Sequence, residues 1–192
     1  MMQKWTTVDS NFVINNGWCR VRKDIVKLPN GKIIDDFFVN VRPDIALVLP
    51  ITVNREIVFV RQYRHGIQEI LLELPAGSFD SATEASLAAA QRELKEETGY
   101  VAAKFTKLAT LYDNPVKDTN QIHLFIAEDA TYSGSRMLDE TEDIAVVLIP
   151  IEEVKNKILR GDICVCGSIT AIFLGLDFLA TSNIHNLQEH KS

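Results

Sequence analysis

The 192-residue chain contains only three cysteines, Cys19, Cys164 and Cys166. That is too few for a disulfide framework, and an odd number suits reduced thiols, so free, buried cysteines are expected. Cys164-Val165-Cys166 lacks the second pair that a zinc site needs. Long apolar runs are absent as well: the longest, about residues 169–180, falls short of the roughly 30 Å of hydrocarbon in a bilayer. The opening MMQKWTTVDSN has no apolar segment behind its lysine, so no leader is expected and the cytoplasm is the expected compartment. Basic residues are in deficit, 20 Lys and Arg against 26 Asp and Glu for a formal charge of -6, which disfavours nucleic acid or an anionic membrane bound through a broad basic face. No low-complexity tract, internal repeat or Pro/Gly/Ser linker divides the chain.

What is present is an ordinary globular balance, 46% hydrophobic and 24% charged residues, able to bury a sizeable core. A prior of about 150 residues per domain gives one domain and a surplus of some tens of residues. The surplus lies at the front. Residues 1–44 read as an antiparallel β meander of their own, with short alternating strands on either side of the turn Leu28-Pro29-Asn30-Gly31. Residues 45–192 then read as the main domain. Ile45 to Pro50 and Glu56 to Arg64 are strongly apolar strands around a turn at Asn54-Arg55, and Ile122 to Ala127 and Ile144 to Ile151 are further strands. Helices are expected over Ala82 to Thr98, with Gly99 in the place of a C-terminal cap, and over Ser168 to Ala180. The fold class is therefore α+β, a mixed sheet between helices preceded by the meander.

The helix ending at Gly99 carries the chemistry. Glu93 and Glu97 stand four residues apart, on adjacent turns of one face, with Glu96 beside them. Like charges at this spacing repel, and the negative end of the helix dipole adds to the cost, so a compensating cation is expected. Oxygen donors with few His or Cys nearby suit Mg²⁺, or Mn²⁺, far better than Zn²⁺. Arg92, about two turns beyond Glu84, is placed to pair with it and pin the loop before the helix. The plainer alternative is a solvated acidic face with Lys95 as partner.

The spacing Glu84-x7-Arg92-Glu93-Leu94-x-Glu96-Glu97-x-Gly99-Tyr100 resembles the signature of the Nudix hydrolases at every fixed position from Glu84 onward. The signature's leading glycine corresponds to Gly77, separated from Glu84 by six residues where the pattern has five, so the intervening loop is one residue longer. Glu73-Leu74-Pro75-Ala76-Gly77, Arg61-Gln62-Tyr63-Arg64 and a proline sixteen residues after Gly99, Pro115, are similar to the ADP-ribose pyrophosphatase branch. Beyond Pro115 the chain has Val116-Lys117-Asp118-Thr119-Asn120, without the glycine and acidic residue common there, so base and sugar stay open.

The resemblance implies a Nudix fold, a divalent metal and hydrolysis of a diphosphate. Carried onto this chain, Glu93 and Glu97 with the Ala76 carbonyl are metal ligands, and Glu96 is a further ligand or holds the water. Arg92 joins Glu96 and Glu140 in the catalytic set. Glu140, or its neighbour Glu142, is the general base in a loop opposite the helix; the alternative is a solvated acidic loop. Arg61 and Arg64 clamp phosphates, or are ordinary surface charges. Glu73 accepts a hydrogen bond from ribose or base, or serves the strand end. Trp18 offers an aromatic face to adenine across a homodimer, or is a core tryptophan. His123, Tyr63, Phe125, Ile172 and Phe173 read as packed residues.

The expected activity is conversion of ADP-ribose to AMP and ribose 5-phosphate. The alternatives are another substrate, such as GDP-mannose, NADH or a dinucleoside polyphosphate, and a nucleotide sensor without catalysis. The intact glutamates argue against the sensor, because a pure binder gains nothing from repelling carboxylates.

Overall fold

The computed structural model describes residues 2–134, 136–138 and 143–189, with the side chains of the last helix described as far as Thr181. The chain forms two compact units, Met1–Asp44 with Tyr112–Gln121, and Ile45–Leu111 with Ile122–Ser192.

In the first unit, β1 (Thr6–Asn15), β2 (Arg20–Lys27) and β3 (Ile33–Asn40) pair antiparallel in that order. Val26 and Val39 are buried, whereas every residue of the edge strand β1 is exposed. The segment Tyr112–Gln121 joins this unit through Asp118, whose carboxylate accepts from Asn40 Nδ2 at 2.8 Å and Arg42 Nη1 at 3.2 Å.

The second unit is built on β4 (Asp44–Thr52), β5 (Glu56–Arg64), β6 (Glu69–Glu73), β7 (Ala76–Phe79), α1 (Ser86–Thr98), β8 (Tyr100–Val101), β9 (Lys104–Leu111), β10 (Ile122–Tyr132), β11 (Ile144–Pro150), α2 (Ile151–Arg160) and α3 (Cys166–Glu189). The sheet runs β11-β5-β4-β10-β8, with β6 on β5, β7 on β4 and β9 on β10. It is mixed: β4 and β10 are parallel, and β5 runs antiparallel to β4, β6 and β11.

Alternation along the central strands explains the layering. Leu47, Leu49 and Ile51 of β4 and Leu124 and Ile126 of β10 pack with Val154 of α2 and Ala171 and Ile172 of α3. The intervening Ala46, Val48, Phe125 and Ala127 pack with Ala89, Ala90 and Leu94 of α1. Each Val, Leu, Ile or Phe side chain so buried contributes about 1.5–3 kcal/mol relative to exposure, so covering both faces anchors the strands that present α1.

Several expectations are corrected. Helix α1 starts at Ser86 and not at Ala82, because Asp80 holds the preceding residues in a turn: its carbonyl accepts the Thr83 and Glu84 amides and its carboxylate the Ala82 amide. Strand β9 and helix α2 were not anticipated, and α3 runs beyond Ala180. All three cysteines are free but exposed, Cys19 beside the β1–β2 turn, Cys164 just before α3 and Cys166 in its first turn. Tyr63 and Phe173 are exposed, whereas Phe125 and Ile172 are buried. Successive residues on a helix diverge by about 100°, so Ile172 and Phe173 cannot both face the sheet. His123 is half-buried and packs edge-on against Phe79, with ring centroids 5.4 Å apart. Among the described residues, no helix is long and apolar enough to cross a membrane.

Candidate active site

The site grows from the chain segment β7, Asp80 turn and α1. Helical spacing turns Glu93 and Glu97 to one face, and packing of Ala89, Ala90 and Leu94 onto the sheet brings that face against the backbone of β7. Both glutamates are buried, with 8% and 3% of their surface accessible. Glu97 Oε2 accepts the Ala76 amide at 3.1 Å. Glu93 approaches so closely that a Cβ on Gly77 would lie 2.0 Å from its carboxyl carbon. A side chain at Gly77 would therefore displace the Glu93 carboxylate from this position, and the extra residue in the loop after Gly77 leaves the contact in place.

Arg92 organises the outer side of the cluster. Its Nε and Nη2 donate to the two Glu84 oxygens, each at 3.0 Å, and its Nη1 donates to Glu93 Oε1 at 2.6 Å and Glu96 Oε2 at 3.0 Å. The Arg92 hydrogen bond holds the Glu84 carboxyl below the usual carboxylate range. In return, Glu84, then Glu93 and Glu96, raise the guanidinium pKa against the opposing effect of burial. The pairing thus pins the Asp80–Glu84 turn to the helix, as the Glu84–Arg92 spacing led us to expect. It also offsets part of the repulsion among the glutamates.

The C-terminal end of α1 is closed by Gly99 and by a residue with no signal in the sequence. Gly99 adopts φ 74° and donates its amide to the Lys95 carbonyl at 2.8 Å, and a Cβ there would meet the Tyr132 ring at 2.7 Å. Arg136 donates through Nε to the Glu97 carbonyl at 3.0 Å and through Nη2 to the Ile144 carbonyl at 2.5 Å. A cation on the Glu97 carbonyl counters the negative end of the dipole where Glu96 and Glu97 already crowd. No periodicity or motif marks Arg136, because its partners are backbone carbonyls.

The other expected residues are distributed less simply. Arg64 lies on Glu73, donating from Nε to both carboxylate oxygens at 3.1 Å and from Nη2 at 2.5 Å. The two candidates therefore hold each other, and Glu73 is buried. Arg61 is exposed on the same strand, and regular pairing of β5 with β6 through both residues sets Arg61 and Arg64 on opposite faces. Trp18 belongs to the first unit and is 92% exposed, which excludes the core alternative. Glu140 and Glu142 lie outside the described residues.

Among the described residues, no three Asp, Glu, His or Cys side chains converge as a ready cage for a cation. The donor set nevertheless suits one. Glu93 and Glu97 are hard oxygen donors, buried together with Glu93 in the space beside Gly77, which favours a hard divalent ion over Zn²⁺. A buried carboxylate pair on a strand–turn–helix unit, mounted on a sheet covered by helices on both faces, is suited to holding a divalent ion, the kind of ion that assists hydrolysis of phosphate esters and anhydrides.

Comparison with known proteins narrows the class. Residues 41–163 match the family model of the NUDIX domain, and residues 5–40 match that of the nucleoside diphosphate sugar hydrolase N-terminal domain. The ADP-ribose pyrophosphatase of Bacillus subtilis (strain 168) is 36% identical over 129 residues, 67% of this chain and 69% of that protein. The ADP-ribose pyrophosphatase of Mycobacterium tuberculosis (strain ATCC 25618 / H37Rv) is 31% identical over 158 residues, 82% of this chain and 76% of its own. A crystal structure of an ADP compounds hydrolase superposes with a TM-score of 0.84 at 25% identity, covering 95% of this chain and 97% of that one. The chain belongs to the Nudix hydrolase family and is a pyrophosphohydrolase, a family whose members generally use a divalent metal.

Proposed function

We propose that this enzyme hydrolyses ADP-ribose to AMP and ribose 5-phosphate with Mg²⁺, Mn²⁺ serving as a substitute. One observation carries the reading: two buried carboxylates one turn apart, Glu93 and Glu97, face the Ala76–Gly77 backbone. The similarity to ADP-ribose pyrophosphatases over two thirds or more of the chain supports the substrate.

In this reading Glu93, Glu97 and the Ala76 carbonyl hold the metal, with Glu96 as a further ligand or as a holder of water. When bound, the ion supplies neutralisation of the diphosphate charge and a lowered pKa for water. The chain's own groups do the rest. Arg92 keeps Glu93 and Glu96 in place through its fork. Arg61 is an exposed guanidinium suited to a phosphate, while Arg64 orients Glu73 for a hydroxyl or base edge of the substrate. Glu140 takes the proton of the attacking water, because a metal-bound carboxylate is a poor base.

We further assign the meander, residues 1–44, to a homodimer, with residues 45–192 as the catalytic domain. Exposure of Trp5, Phe12, Ile14 and Trp18 supports this, since a three-stranded sheet of this size leaves apolar surface that a second copy would cover. Trp18 then offers its ring to adenine in the partner's site. The cytoplasm, where reduced thiols and nucleotides meet, suits the three free cysteines.

The test is a substrate panel. When purified enzyme with Mg²⁺ is offered ADP-ribose, GDP-mannose, NADH or a dinucleoside polyphosphate, ADP-ribose should be cleaved fastest, with AMP and ribose 5-phosphate resolved by chromatography. Faster turnover of another member overturns the substrate assignment, and no cleavage of any overturns the catalytic reading.

A further inference from the structure

The backbone facing Glu93 and Glu97 lies at a change of strand partners. Up to Glu73 the chain pairs with β5, and from Ala76 it pairs with β4. Pro75 sits between, with no amide to donate and with φ fixed near -65°. At such a switch the amide before the proline loses its ladder acceptor, and Leu74 is that residue, 1% exposed. A buried N–H without a partner is costly, so an acceptor must come from elsewhere.

It comes from Ser168, whose Oγ accepts the Leu74 amide at 3.0 Å across 94 residues of sequence. Ser168 is 1% exposed in the first turn of α3, five residues beyond the end of the NUDIX match at residue 163. The neighbouring anchors all come from within that match. Arg64 holds Glu73, the Val48 amide donates to the Pro75 carbonyl at 3.0 Å, and the Ala76 amide donates to Glu97. Glu93 fills the space beside Gly77. Segment 73–77 is thus held at each residue, and among the described residues it is at Leu74 that the anchor comes from the last helix.

We propose that Ser168 is a positioning residue for the metal site. Through the Leu74 amide it sets the position of the Ala76–Gly77 backbone against Glu93 and Glu97. The inference rests on the metal role proposed above for that pair. Without the hydroxyl, the buried amide draws the strand toward water or another acceptor, and Ala76, two residues on, moves with it. Groups that orient metal ligands from outside the first layer change metal affinity by about 10–100-fold when removed.

The experiment measures Mn²⁺ binding to substrate-free protein by electron paramagnetic resonance of free Mn²⁺, with the Leu74 amide exchange rate as a second readout. Ser168→Ala is compared with wild type, with Ser168→Thr, which keeps the acceptor, and with Ile172→Val, a buried change one turn further along the same helix that leaves the Ser168 hydroxyl in place. Ser168→Ala should weaken Mn²⁺ binding by about tenfold or more and speed Leu74 exchange, with substrate KM at saturating metal unchanged. Ser168→Thr should restore most of the affinity, and Ile172→Val should move neither readout, whatever it does to Tm. Normal Mn²⁺ affinity in Ser168→Ala, or an equal loss in Ile172→Val, overturns the inference while leaving the metal site standing. Absence of Mn²⁺ binding to wild type overturns both together.

Discussion

Strands β1 and β4 are of similar length, ten and nine residues, yet all of β1 is exposed while seven residues of β4 are buried. Both carry apolar side chains. The difference lies in what the chain provides to cover them. Strand β4 has α1 on one face and α2 and α3 on the other. Among the described residues, β1 has β2 along one edge, and its Val8, Phe12, Val13 and Ile14 remain on the surface. Apolar content therefore reports a strand, and only the covering layers decide whether it becomes core or interface. The comparison also separates two tasks: chemistry sits where backbone is held from both faces, and uncovered surface is available for association.

The sharpest way to test the buried side of this comparison is Glu97→Gln. Amide for carboxylate keeps the shape and relieves repulsion with Glu93, so the fold and Tm should persist while kcat falls by orders of magnitude. Full activity in a folded variant would remove Glu97 from the metal set. A smaller loss is expected at the proposed base. Glu140→Gln should lower kcat by about 10²-fold with Mg²⁺ affinity and KM little changed, and Glu142→Gln should do less. If Glu142→Gln is the crippling change, the base is the other carboxylate. The exposed side is tested without chemistry: light scattering at micromolar concentration should give twice the 21.6 kDa chain mass. A monomeric mass would withdraw the dimer, and with it the role given to Trp18 at a partner's nucleotide.

The contrast explains what was legible beforehand. Strands β2 to β5 and the helix carrying Glu93 and Glu97 follow from period-two and period-3.6 patterns, and the glutamate spacing pointed to the candidate site. Helix α2 escaped because it begins at Ile151 directly after β11, with Pro150 as its N-cap and no intervening loop. Its signals were nevertheless present: Val154 buried with Ile151 and Ile158 packed beside it, Glu152 and Glu153 in the first turn, and Gly161 at the end. The pairing of Arg64 with Glu73 depends on register, which one strand's sequence does not contain, whereas the opposite faces of Arg61 and Arg64 follow from their odd spacing on one strand. Arg136 and Ser168 were invisible for a related reason. Each satisfies a backbone group far away in sequence, and no local pattern records such a debt.

The central claim is that buried carboxylates facing the Ala76–Gly77 backbone work through a divalent ion. Initial rates on ADP-ribose, measured in enzyme stripped with EDTA and then across a titration of free Mg²⁺, test it most directly. No detectable turnover is expected in EDTA, with a saturable return of full activity as Mg²⁺ is added. Turnover that continues undiminished in EDTA would contradict it.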